Sequence, residues 1–319
     1  MLLPMLALLA LQASQGFQTD TTVNVNQGTR LKVENQGGDI IVKTWEKNQV
    51  RVQASHSRRT HVTINLGGAV LSLEAEADRG PSNMVDYELT VPAWMALSLE
   101  GMYATVNVKG TRAPIEVETI DGDITVEGGA ESVKLTSVQG RISATGSRGR
   151  IELNTVSDDI EAADLQGDIV AETVSGSITI AKSDAKSVEV QTVSGELVYD
   201  GKIVDGGHYS LLTHSGEIAV SVPEGANATI ATAIGSGEVR ASFPLPASER
   251  PSRRRQTFRL GTGSATVELE SFSGTISLLR PSELAGRLER LLQRRDERER
   301  VKHKAKPDHD GDDDDQGGN

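Results

Sequence analysis

Five carboxylates and one guanidinium come closest to a recognisable chemistry: Asp121, Asp123, Asp158, Asp159 and Glu161, with Arg141 between the two groups. Paired carboxylates at a fixed separation in a cleft hydrolyse glycosidic bonds, and carboxylates holding Ca2+ beside a basic residue suit polysaccharide elimination. Asp123, Arg141 and Asp159 are spaced by eighteen residues each time. The same spacing supports a plainer reading, a charge ladder in which Arg141 neutralises the aspartates on either side. Solvated charged faces are the commoner case, so the ladder is favoured and a polysaccharide lyase or hydrolase is kept as the alternative. His214 and Ser215 adjoin in "THSGEI", but a hydrolytic triad also needs an acid and an oxyanion hole, and both residues fill slots held elsewhere by Val and Ser. The glycine-rich "GTGSAT" and "IGSGEV" lack the following helix and lysine of a phosphate cradle. No catalytic residue, cofactor site or metal site is assigned, and the chain is read as non-enzymatic.

What would position these residues is a repeat. "TIDGDI" (119–124), "SVQGRI" (137–142), "TVSDDI" (155–160), "TVSGSI" (173–178), "TVSGEL" (192–197), "THSGEI" (213–218) and "SFSGTI" (271–276) align on one turn, the first four eighteen residues apart. Such a period marks a stacked array, a β-solenoid. Alternation within each unit gives every column a face. Val117, Leu135, Leu153, Ala171, Val190 and Leu211 point inward, as do Ile115, Val133, Ile151, Ile169, Val188 and Tyr209, and Ile124, Ile142, Ile160, Ile178, Leu197 and Ile218 form a third ladder after the turn. Glu116, Lys134 and Glu152 alternate in sign on the outward side, as neighbours on adjacent strands should. The glycine is read as a corner with unusual dihedrals, replaced once by Asp158, a residue type that tolerates left-handed geometry. "ETIDGDITV" alone would read as an Asp-Gly hairpin in an antiparallel sandwich. The solenoid is preferred because meanders do not require matched side chains at an eighteen-residue lag.

Recurring hydroxyls at the turn's first and third positions, Thr192 and Ser194 for example, are expected to hydrogen-bond one another and turn backbone. Beside them Glu196, Glu217 and Glu238 form an outward column of like charge that must be solvated or bridged by cations. "FPLPASERPSRRRQTF" interrupts the strand pattern, and its segment 244–256 is expected to project as a basic loop. Arg253, Arg254 and Arg255, with Glu196 and Glu217, are the candidate binding surface.

The remainder divides into zones. Leu2 to Leu11 is an apolar run too short to span a bilayer, followed by small and polar residues, which is an export-signal pattern over 1–16 although it lacks a basic start. Residues 17–110 alternate without the strict period and read as irregular β coils forming a cap, with Trp45 and Trp94 as packing residues. Residues 111–280 hold the regular repeats. Over 281–306 Leu284, Leu288, Leu291 and Leu292 fall at helical spacing behind Pro281 and an N-cap at Ser282. That amphipathic helix either folds over the last coil or binds a partner or membrane surface. The acidic 307–319 reads as a disordered tail.

Composition agrees with this. Aromatic residues are only 3 % of the 319 while glycines number 32, which suits short strands and tight turns with an aliphatic core. A net charge of −12 argues against sequence-independent binding of nucleic acid, which needs basic surface. No cysteine is present, so disulfides, thiolate chemistry and a cysteine-linked lipid anchor are excluded. No apolar segment past the first is long enough to cross a membrane.

"GGDIIVKTWEKNQVRVQA" (37–54), "YELTVPAWMALSLEGMYATVNVKG" (87–110) and the serial Thr-Val-Ser-Gly turns carry a resemblance over about residues 20–280. The chain resembles the bacterial putative-adhesin family of unknown function, related to autotransporter-adhesin head domains. The resemblance implies a right-handed parallel β-helix, exported to the periplasm, cell surface or medium, with an adhesive role. It supplies no catalytic or ligand residues. The expected function is an adhesin-like binding surface or cell-envelope scaffold whose partner is an envelope polysaccharide or another envelope protein. A self-assembling filament growing from open coil ends is a further alternative.

Overall fold

The structure, a computed structural model, describes residues 19–78, 84–248, 252 and 254–289. The expected export signal, Arg253 and everything from residue 290 onward lie outside the described residues. The 21 strands described form one continuous sheet that folds around its own aliphatic interior.

The strict period appears in β8 (Ile115–Asp121), which follows β1 (Thr19–Asn24), β2 (Arg30–Trp45), β3 (Gln49–Ser55), β4 (Thr60–Gly67), β5 (Val70–Ala77), β6 (Asp86–Pro92) and β7 (Ala96–Lys109). The repeats continue through β9 (Ile124–Glu127), β10 (Ser132–Gln139), β11 (Ile142–Thr145), β12 (Arg148–Asn154), β13 (Ile160–Ala163), β14 (Gln166–Ser175), β15 (Ile178–Ser194), β16 (Leu197–Gly201), β17 (His208–Ser215) and β18 (Ile218–Ser221), the lag lengthening to nineteen and then twenty-one residues at the corners that begin at Thr192 and Thr213. Each coil lays one strand on a long face and a shorter one, past the glycine corner, on a short face. On the long face β8 pairs β10, β10 pairs β12 and β12 pairs β14, all parallel; on the short face β9 pairs β11 and β11 pairs β13. β8 and β9 therefore belong to different faces, and the Asp-Gly between them turns a corner rather than closing a hairpin.

The register matches the lag in the sequence. Leu135 lies between Val117 and Leu153, and Ile142 between Ile124 and Ile160, so identical side-chain types stack in columns. The inward columns are buried throughout. Burying an aliphatic side chain contributes about 1.5–3 kcal/mol, and a ladder repeats that on every coil, with Tyr199 and Tyr209 as buried aromatic members near the C-terminal end, centroids 5.6 Å apart.

The two ends are built differently from the middle. At the N-terminal end β2 is sandwiched, with β5 and β6 on one side and β7 on the other, all parallel. Beyond them lie antiparallel strands, β4 against β5, and β3 against β6 and β1. At the C-terminal end the chain overshoots: β19 (Ala228–Ala241) forms the outermost coil, β20 (Arg255–Leu260) pairs antiparallel on its edge, and β21 (Ala265–Leu279) returns to fill the space between β19 and β17–β18. "SFSGTI" thus stacks directly on "THSGEI", 58 residues away in sequence, and "IGSGEV" lies beyond it.

A helix, α1, follows over 281–289. Its cap is Arg280, whose N–H is accepted by Glu283 Oε2 at 3.2 Å, so Pro281 is the first helical residue and Ser282, the expected cap, lies within the helix. Pro fits there because its missing N–H would have no helical partner. α1 lies across the short face, where Leu284 is buried against Val198 and Ala219. No helix among the described residues is long and apolar enough to cross a membrane.

Candidate binding face

The corner phrase Thr-Val-Ser-Gly separates into three side chains and a glycine, each with its own place. The first hydroxyl turns in and donates to a carbonyl on the preceding coil: Thr155 to Gly140 at 3.1 Å, Thr192 to Gly176 at 3.0 Å and Ser271 to Gly216 at 3.1 Å. The third-position serines do not join this ladder; Ser157, Ser175 and Ser194 face water. The expected mutual bonding of the two hydroxyl columns is therefore corrected: residues two apart would share a face in a regular strand, but the chain turns at the corner, so Thr192 stays buried while Val193 and Ser194 are both exposed. The glycine is required by crowding, since a Cβ at Gly140 would overlap the carbonyl oxygen of Gly122 below it. Asp158 is not left-handed; its coil escapes the overlap by bending over 156–158 where other coils stay paired.

The second residue points out. Met102, Ile120, Val138, Val156, Val174, Val193, His214 and Phe272 stand one above another on eight adjacent rungs of the long face, all exposed, from 39 % at Val138 to 61 % at Phe272 among the apolar members. At about 4.8 Å per rung the line runs roughly 34 Å. His214 continues it by stacking its ring on Phe272, centroids 4.8 Å apart and planes 4° from parallel. Contiguous apolar surface on a soluble protein marks a contact site. Half-exposed apolar side chains of this size still hold about 1 kcal/mol each of unrealised burial, roughly 7 kcal/mol over the seven apolar members of the line. Association itself costs about 4–15 kcal/mol, so the line supports binding only of something long enough to touch most of it, or with help from charge.

Charge stands beside its N-terminal end. Glu74, Glu34, Glu100 and Glu118 are direct neighbours on four successive strands. Like charges so placed repel. Lys32 relieves part of this, its Nζ 2.5 Å from Glu34 and 3.6 Å from Glu100, and Lys134 lies 3.1 Å from Glu118 and 3.2 Å from Glu116. Hydrogen bonds to these carboxylates hold both lysines above their ordinary range. With Glu76 and the apolar Met102, Ile120 and Val138, the carboxylates line an open groove of about 570 Å³.

Of the residues singled out for catalysis, Arg141 lies on the coil between Asp123 and Asp159. Asp123 Oδ1 accepts the Arg141 backbone N–H at 2.8 Å, and Asp159 Oδ1 accepts that of Ser177 at 2.7 Å, so each carboxylate caps the next coil's corner. Among the described residues no group of three acidic or histidine side chains is placed to hold a metal. The glutamate column is also corrected. Arg287 of α1 donates to both oxygens of Glu217, at 2.8 and 2.7 Å, and to Glu196 at 2.7 Å, so the pair is bridged by a guanidinium. Burial raises the Glu196 carboxyl and the Arg287 hydrogen bonds lower that of Glu217. Glu238 is not next in line: Thr275 stands between it and Glu217, and its partner is Arg240. Of the basic loop, Arg254 and Arg255 are exposed, but Arg255 opens β20 and pairs with Ala233, so the projection ends sooner than expected. Trp45 and Trp94 are half-buried near the turn after β2, their indole N–H groups donating to Gln49 O and Asn48 Oδ1.

Sequence reasoning missed the apolar line although its signal was present. The valine between each Thr and Ser was absorbed into the turn, and only its outward direction distinguishes it from core.

A family model described as Toastrack DUF4097 matches residues 6–279. No curated protein matches the chain. Two crystal structures are similar to it: a "putative cell adhesion protein" from Clostridium sporogenes, 11 % identical, covering 82 % of this chain and 99 % of that one with a TM-score of 0.21, and a "putative adhesin" from Bacteroides fragilis, 12 % identical, covering 82 % and 96 % with a TM-score of 0.38.

Proposed function

We propose a function from the premise that the chain belongs to the Toastrack DUF4097 family, a family of unknown function: it is an exported, non-enzymatic, adhesin-like β-solenoid that binds an extended partner along its open long face. One observation carries this reading, the eight-rung apolar line from Met102 to Phe272. A rigid coil stack presents the same side chain at about 4.8 Å intervals, so an elongated ligand gains many weak contacts at once and a short one gains few. The adhesion names of the two similar structures point the same way without adding weight. The coils are taken as right-handed, the hand that right-twisted strands favour in parallel crossovers.

The test uses the exported chain and a Val138→Ser/Val156→Ser/Val174→Ser/Val193→Ser variant, on arrays of envelope polysaccharides and on isolated envelopes. The expected result is saturable binding that weakens by about tenfold or more in the variant, roughly 1.4 kcal/mol, with an unchanged melting temperature and no turnover of the bound polymer. Equal binding by both proteins rejects the open face, and turnover rejects the non-enzymatic reading. Export is checked by sequencing the N-terminus of protein recovered outside the cytoplasm, expected near Phe17.

A further inference from the structure

We propose that the groove at the N-terminal end of the open face docks a cationic amphipathic segment of another polypeptide. This inference rests on the reading of the long face as a binding surface, and it names the partner class at one end of it. The groove combines two features that a single partner chemistry satisfies. Its carboxylates stand in an unbroken line across adjacent strands, Glu74, Glu34, Glu100 and Glu118, and the lysines bonded to that line, Lys32 and Lys134, leave it net negative. Its apolar part is the start of the exposed line, Met102, Ile120 and Val138.

A metal ion would answer the charge alone, and among the described residues the carboxylates do not converge as metal ligands. An anionic polymer or an anionic bilayer is repelled by the line. A polypeptide bearing Arg or Lys between apolar residues supplies spread positive charge and apolar surface together, and carboxylates recognise guanidinium groups through two parallel hydrogen bonds.

The test titrates the full chain with a synthetic peptide alternating Arg and Leu, and with a second in which Ser replaces every Leu. Saturable binding of the Arg-Leu peptide is expected, weakening about tenfold when salt rises from about 50 to about 300 mM, as exposed ion pairs are screened. A Glu34→Gln/Glu100→Gln/Glu118→Gln variant and a Met102→Ser/Ile120→Ser variant should each lose about tenfold. Glu268→Gln/Glu270→Gln, on the same face at its far end, should leave affinity unchanged. Equal binding of the Arg-Ser peptide, or indifference to the groove changes, overturns the proposal. So does saturable binding to phosphatidylglycerol vesicles that ignores the glutamate changes, which marks a membrane face. If the peptide fails while the mid-line valine variant still loses its envelope ligand, the groove assignment falls and the open-face reading stands. If both fail, the open face itself is rejected.

Discussion

The long and short faces of the stack obey the same period and end in opposite states. On the short face Val198 and Ala219 point away from the main core and are nevertheless buried, because α1 lays Leu284 on them and fixes itself through Arg287 to Glu196 and Glu217. On the long face Val156, Val174 and Val193 also point away from the core, and nothing in the described chain covers them. An outward apolar column is thus neither core nor site by its residue types. What decides is whether another segment of the chain arrives to cover it, and among the described residues only the short face receives one.

The sharpest way to break the comparison is to put the same charge on either side of one strand pattern. Leu153→Asp, in the middle of an inward ladder, leaves an uncompensated charge among aliphatic side chains and should cost several kcal/mol, enough to abolish the strand signal in circular dichroism. Val156→Asp, three residues on and facing out, should change stability by about 0.5 kcal/mol or less. Equal losses in thermal unfolding would show that the outward column is packed after all.

Uncovering the short face comes next. Leu284→Ala should cost about 2 kcal/mol, at the low end for a buried leucine because α1 can undock without unfolding the coils. Limited proteolysis should then cut within 281–289 while leaving the repeats intact, and a dye that reports apolar surface should bind more strongly. If cleavage spreads into the repeats at the same rate, the helix is part of the coil's cooperative unit.

The corner hydroxyls give a smaller contrast. Thr192→Val removes a donor from the Gly176 carbonyl and should cost about 1 kcal/mol in denaturant unfolding, whereas Ser194→Ala, on the water side, should be close to neutral. A comparable cost at Ser194 would mean that the two columns do share bonds.

The smallest effects concern the guanidinium bridge. The Glu217 carboxyl lies below its ordinary range, so its contribution to docking is complete above the unfolded value and is lost as pH falls through the lowered folded one. Glu196 is raised by burial and has the opposite sign, weakening docking when ionised and relieved by protonation. Resistance of 281–289 to proteolysis should therefore persist through mildly acidic pH and fail only below the ordinary glutamate range. Glu217→Gln should loosen the helix more than Glu196→Gln; the reverse order would mean that burial, not the guanidinium, governs the pair.

The repeats were legible because stacking forces like residues into columns: Leu135 between Val117 and Leu153 is a lag of eighteen made physical. The ends were not legible in that way. β19 overshoots and β21 returns beneath it, an order no local pattern records, since both strands have the same alternation and either could stack on β17. For the candidate site, Glu196 and Glu217 were found but misread, because their partner Arg287 lies 91 and 70 residues along the chain. The groove was missed because Glu34 and Glu74 are brought beside Glu100 by the irregular coils, which have no common period.

By itself the sequence determined the inward ladders, the corner and the side-chain alternation that sends Thr192 in and Val193 out. These depend on backbone geometry that repeats every two residues along a strand and on apolar burial, both of which are local in form even when the contacts are distant. The tertiary structure alone decided which outward surface stays exposed. Covering Val198 and Ala219 requires a helix whose Leu284 lies 86 and 65 residues later to land on one face, and that landing is fixed by where β21 leaves the stack rather than by anything written in the columns it covers.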